Sequence, residues 1–294
     1  MAQDASSSTR SSGLEPLMAR TRGQPEIVVG LLDGPVAAEH PDLYEARLHK
    51  TGEWAQHFGG SEDRAYRHGT FVAGVLAARR DSQAPGLCPD CTYLIRPIFE
   101  ATTNRKNPDG PSTSPVRLAE GIKDCVDRGA RLLNLSAAFV QPSINPAPML
   151  EQALDYAARR GVAIIAAAGN QATIGTSVIT RHPSVIPVAA ADVSGRVISS
   201  SNVGGSIGRR GLAAPGVNIT SLDYADGVQT WTGTSAATPF VTGAFALLLS
   251  LFSTLPIEEV KAAVLQAAGR QRHSVLPPYL NGEAAYHLLR ARKG

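Results

Sequence analysis

The sequence predicts an α/β fold built on a mostly parallel sheet. Short uninterrupted apolar runs, bounded by Gly, Pro or Asp, alternate along the chain with amphipathic stretches. Uninterrupted runs suit strands buried on both faces, and the alternation implies βαβ units with right-handed crossovers. No internal repeat or composition break divides the chain, so residues 26–294 read as one domain behind a polar N-terminal stretch, residues 1–25.

The elements follow in order. Residues 27–32 (Ile-Val-Val-Gly-Leu-Leu) form a strand that stops at Asp33-Gly34-Pro35. Residues 69–79 read as a helix with Val72, Val75 and Leu76 on one face, and residues 93–99 as a strand. Leu118, Ile122 and Val126 recur every fourth residue on a helix that Gly129 ends. Residues 131–135, 162–168 and 184–191 read as strands, and residues 149–160 as a helix ending at Gly161. Residues 234–251 form a long apolar helix, and residues 256–268 and 282–292 form amphipathic ones. Residues 104–115 are polar and Pro-rich, a surface loop.

Composition narrows the function classes. The 294 residues carry 28 Lys and Arg against 25 Asp and Glu, a net charge of +3, which argues for no nucleic-acid partner. Hydrophobic residues make up 43%, enough for a core and against disorder. Three cysteines are too few for a disulfide scaffold. Residues 1–24 are rich in Ser, Thr and Arg and hold no signal-like apolar run, so they read as a flexible tail. The longest apolar run, residues 240–252, is too short to span a bilayer. The expectation is a cytoplasmic protein with no membrane partner.

Chemistry is sought at the carboxyl ends of parallel strands. Leu31-Leu32-Asp33-Gly34 places a carboxylate there. His68-Gly69-Thr70-Phe71-Val72-Ala73-Gly74 sets a histidine at a helix start, and Gly233-Thr234-Ser235-Ala236-Ala237-Thr238-Pro239 sets a serine at the head of the apolar helix. Singly, each reads as a cap or a turn residue. Together they supply a nucleophile, a base and an orienting carboxylate. Pro239 lacks the amide that would bond the Ser235 carbonyl, which opens the helix start.

These segments resemble the three signature motifs of the subtilisin-like serine proteases, H-G-T-x-V-A-G and G-T-S-x-A-x-P among them, in the order Asp, His, Ser. The separations, 35 residues from Asp33 to His68 and 167 from His68 to Ser235, suit that family. The resemblance spans about residues 26–268. It implies a three-layer α/β fold, a mostly parallel central sheet with helices on both faces. It also implies that Asn170, in Ala167-Ala168-Gly169-Asn170, donates to the oxyanion. Asn134, Leu135, Ser136, Ala137 and Ala138 resemble the segment that pairs with an extended peptide substrate and walls the S1 pocket. Ala167, Ala168 and Gly169 resemble the facing wall. Residues 171–181, expected at the pocket floor, are shorter than in common secreted members.

Departures from the pattern are informative. Gly-Pro follows Asp33 where Ser-Gly or Thr-Gly is usual. Residues 79–85 lack the Asn-rich calcium loop, and Asp42 alone cannot supply the six to eight oxygens calcium takes, so no cofactor or metal is expected. Cys88-Pro89-Asp90-Cys91 reads as a redox motif, half a zinc site or a short-loop disulfide. The lack of a second cysteine pair argues against zinc, and a structural role is expected for these two and for Cys125. Only about 25 residues precede the first strand, where secreted subtilases carry a folded pro-domain. With Asp-Gly-Pro and residues 94–99, this resembles the proteases that mature ribosomally made peptides, the cyanobactin leader-cleaving enzymes above all. Their macrocyclising relatives insert a helix between the Asp and His motifs, for which 35 residues leave no room, so hydrolysis is expected. The rival expectations are a general cytoplasmic subtilase and a catalytically silent peptide-binding protein. A dinucleotide-binding protein is excluded because no G-x-G-x-x-G follows the first strand.

Overall fold

The computed structural model describes residues 5–52, 64–99, 113–136, 147–269 and 274–292. Among these described residues seven strands make one sheet: β1 (Val28–Asp33), β2 (Arg47–Lys50), β3 (Thr92–Pro97), β4 (Leu132–Leu135), β5 (Ala163–Ala167), β6 (Val185–Ala191) and β7 (Leu212–Pro215). Their order across the sheet is β2-β3-β1-β4-β5-β6-β7, and every neighbouring pair is parallel. An antiparallel hairpin, β8 (Ile219–Leu222) with β9 (Val228–Trp231), forms a second, smaller sheet.

Successive strand residues point to opposite faces, and each face is covered by helices. Val29 and Leu31 of β1 join Leu132 and Ile165 in a core with α3 (Arg64–Ala77) and α8 (Thr234–Leu251). Leu32 instead joins Leu133, Leu135, Ile164 and Ala166 in a core with α4 (Pro115–Asp127) and α5 (Pro148–Arg159). This is the expected three-layer arrangement. Helix α8 is long and apolar enough to cross a membrane, but 89% of it is buried and it lies against β4, β5, β6 and β7.

The N-terminal stretch departs from the expected flexible tail. Residues 5–20 form α1 (Ala5–Ser11) and α2 (Glu15–Arg20). Leu14 and Leu17 are fully buried in the α3–α8 core. The Gly282 N–H donates to the Ser12 carbonyl at 2.9 Å, and the Arg80 guanidinium donates to the carbonyls of Met18, Thr21 and Leu87 at 2.6–3.2 Å. The Ser and Arg content hides two leucines three apart, one helical turn, whose burial docks the segment together with these hydrogen bonds.

Two further differences concern boundaries. Helix α3 begins by Arg64, so His68 lies in its second turn rather than at its start. Ser114 caps α4 by accepting the Arg117 N–H, and Pro115 is already helical. The rest of the expected loop, residues 104–112, lies outside the described residues.

Candidate active site

Strands β1, β4 and β5 are neighbours, and their carboxyl ends bring the expected residues to one edge of the sheet. Asp33 closes β1 and is 1% exposed. Its Oδ1 accepts the Gly34 N–H and lies 2.6 Å from His68 Nδ1. A carboxylate only accepts, so His68 carries a proton on Nδ1, which leaves the Nε2 lone pair available in the neutral ring.

Two glycines permit this approach. A Cβ on Gly34 would lie 1.9 Å from the Ala65 carbonyl oxygen, and one on Gly69 would lie 2.3 Å from the Pro35 oxygen. Helix α3 therefore packs backbone to backbone against the turn after β1. The Ala37 N–H donates to Thr70 Oγ1 at 3.0 Å and fastens the same turn to the helix.

Ser235 stands in the first turn of α8, partly exposed, where free backbone N–H groups and the helix dipole favour negative charge. Pro239 leaves the Ser235 carbonyl without its helical donor, and Ser136 Oγ donates to it at 3.3 Å. Asn134 Nδ2 donates to Ser136 Oγ, and Thr242 Oγ1 donates to Asn134 Oδ1, both at 2.8 Å. Asn134 and Thr242 are fully buried, so this chain of bonds ties the end of β4 to α8 inside the protein.

Asn170 follows β5 and is exposed. Its Oδ1 accepts the Thr234 N–H at 2.9 Å, which makes Nδ2 the outward donor. The Gly169 N–H donates to Thr234 Oγ1 at 3.1 Å, a second tie between the segment after β5 and the head of α8.

The expected substrate segments meet in part. Leu135 pairs with Ala166 across β4 and β5, so residues 134–136 and 167–169 continue from adjacent strands. Asn134 and Leu135, expected in the substrate wall, instead lie inside the sheet: β1 and β5 pair with them on either side, both are fully buried, and the Leu135 side chain turns into the α4–α5 core. Ala167 and Ala168 are buried. Ala137 and Ala138 lie outside the described residues.

Several contacts carried no sequence signal. Trp231 of β9 packs edge-on to the His68 ring at 4.9 Å and stacks on Phe71 at 5.7 Å. Its Nε1 donates to Gln229 Oε1, and Gln229 Nε2 donates to the carbonyls of Arg67 and Leu222. Asn202, fully buried, bonds the segment that carries Asn170. A lone Trp and a lone Asn near turns match no motif.

Asp42 faces a protein cation. Arg79 Nε lies 3.7 Å from Asp42 and 3.4 Å from Asp81, and its guanidinium sits over the Tyr44 ring. Among the described residues no three His, Cys, Asp or Glu side chains cluster as metal ligands. Cys88, Cys91 and Cys125 are buried free thiols. Burial pushes the Cys125 thiol up to about 12, which keeps it protonated and unreactive.

The model of the subtilase family, Peptidase S8, matches residues 24–284. The chain belongs to the subtilase family. Subtilisin DY of Bacillus licheniformis is 32% identical over 243 residues, 80% of this chain and 81% of that protein. Seven other relatives are spanned for only 44% to 62% of their length. Among solved structures, a mutant protease domain of PatA is 31% identical with a TM-score of 0.84, over 92% of this chain and 97% of that one. The prenylagaramide maturation protease PagA is 31% identical with a TM-score of 0.82, over 94% and 98%. This subtilase is a serine endopeptidase with the subtilisin-like α/β fold.

Proposed function

We propose that this subtilase hydrolyses a ribosomally made precursor peptide inside the cell, through Ser235, His68 and Asp33 with Asn170 as oxyanion donor. The observation that carries the reading is the 2.6 Å contact of Asp33 with His68 Nδ1, at the same sheet edge as the head of α8.

The chemistry follows from that geometry. Asp33 holds the tautomer that leaves Nε2 free to take the Ser235 proton as Oγ attacks the scissile carbonyl. The imidazolium then returns the proton to the departing amine, and the acyl group stays on Ser235. Water, deprotonated by the same ring, releases it. The Ser235 N–H and Asn170 Nδ2 stabilise the oxyanion of each tetrahedral intermediate. The peptide lies extended against the segments that follow β4 and β5, residues 136–138 and 167–169, bound mainly through its backbone. No metal takes part in this reading, and the one carboxylate at the calcium position of secreted relatives, Asp42, has the Arg79 guanidinium beside it.

The likeness to PatA and PagA over more than 90% of the chain supports precursor processing. The likeness to subtilisin DY favours a second reading, a general peptidase. Incubation with a library of unrelated peptides, with cleavage sites mapped by mass spectrometry, separates the two. A maturation enzyme cuts few members at a shared short motif, whereas broad cutting throughout the library contradicts that assignment.

A further inference from the structure

We propose that Asn202 is a positioning residue that holds the Asn170 donor in place, an inference that rests on the oxyanion role given to Asn170 above. The side chain of Asn202 is fully buried and bonds on both sides of Asn170. Its Oδ1 accepts the N–H groups of Gln171 at 3.0 Å and Thr173 at 3.1 Å, and the Thr173 hydroxyl at 2.9 Å. Its Nδ2 donates to the Ala168 carbonyl at 3.1 Å and to Gln171 Oε1 at 2.6 Å. Its own N–H donates to the Gly169 carbonyl at 2.8 Å. Residues 168, 169, 171 and 173 are thus all fastened to one side chain and its backbone, and Asn170 stands between two of them, 169 and 171.

The segment needs such a clamp. Gly169 has φ +105°, and Ala172 has φ +53°, a left-handed conformation unusual for alanine. A Cβ at position 169 would lie 2.3 Å from Asn202 Nδ2, so the amide also fills the space that the glycine opens. The clamp is itself anchored on the sheet, because Ser201 Oγ accepts the Ala190 N–H of β6 at 3.2 Å. A carboxamide meets the demand for donors and acceptors on one short side chain; aspartate lacks the donors and leucine lacks both. Oxyanion donors act by being in place before charge develops, so this rigidity bears on kcat.

A double-mutant cycle tests the role, with kcat and KM measured on one peptide substrate and active enzyme counted by end-point titration with a fluorophosphonate. Asn170→Ala is expected to lower kcat about 10²–10³-fold, the loss seen on removing one such donor from a subtilisin. Asn202→Ala is expected to lower kcat about ten- to hundred-fold with KM little changed, the scale of a catalytic group misplaced by about 1 Å. Added to Asn170→Ala, it should change kcat by no more than about twofold. A purely structural residue multiplies the two losses, and that result overturns the proposal. Unchanged kcat in Asn170→Ala alone overturns the oxyanion reading beneath it. If Asn202→Ala does not fold, Thr173→Val removes one of the three donors to Oδ1 and enters the same cycle, under the same criterion with a smaller single loss.

Discussion

At Asp33 one carboxylate oxygen is committed twice, to the Gly34 N–H and to His68 Nδ1, each at 2.6 Å. That geometry depends on a residue with no side chain. Gly34→Ala would press a methyl group into the Ala65 carbonyl and push α3 away from β1. Overpacking of this kind costs about 1–3 kcal/mol. The variant should therefore unfold at lower temperature in a thermal melt and lose kcat on a peptide substrate. Ser235→Ala should keep the wild-type melt and lose turnover altogether, as a partly exposed hydroxyl carries little stability. The proposed reacting residues were legible because Asp33, His68 and Ser235 each sit in a motif whose order and context independent caps do not share. Trp231 and Asn202 were not, since their partners are assembled only by folding: β9 against α3, and the turn after β6 against the end of β5.

Helices were more legible than short strands. The helix predicted over residues 234–251 matches α8, because the apolar run from Phe240 is too long for a strand, and Pro239 near the helix start does not end it. Strands β2, β7, β8 and β9, four residues each, were missed because so short a run shows neither period clearly, whereas β4, equally short, was marked by Leu132, Leu133 and Leu135. Helices α1 and α2 were missed for a different reason: their composition is polar, and what holds them is two leucines and carbonyls bound by Arg80. Burial disfavours the charged form of Arg80 relative to an arginine in water, and the three carbonyls it serves favour that form. Leu17→Ala, which empties a fully buried site, should destabilise the protein by about 2–5 kcal/mol, read as a lower denaturation midpoint with kcat of the folded enzyme retained. A midpoint equal to wild type would mean that the N-terminal helices contribute nothing to the core.

Over the whole molecule, one sheet unites residues far apart in sequence. Asp33, the end of β4 and the segment after β5 lie at the carboxyl ends of adjacent strands, and α8 crosses beneath them to present Ser235. The α/β class was legible from the alternation of runs, whereas the strand order came from the structure alone. The substrate is the least legible part, because a peptide held by backbone leaves few side chains to read. The account centres on Ser235 as an activated nucleophile, and labelling with a serine-directed fluorophosphonate tests it most directly. Intact mass and peptide mapping of the folded wild type should show one label, on Ser235, and none on Ser235→Ala. A folded wild-type chain that takes no label, or takes it on another serine, would contradict the account.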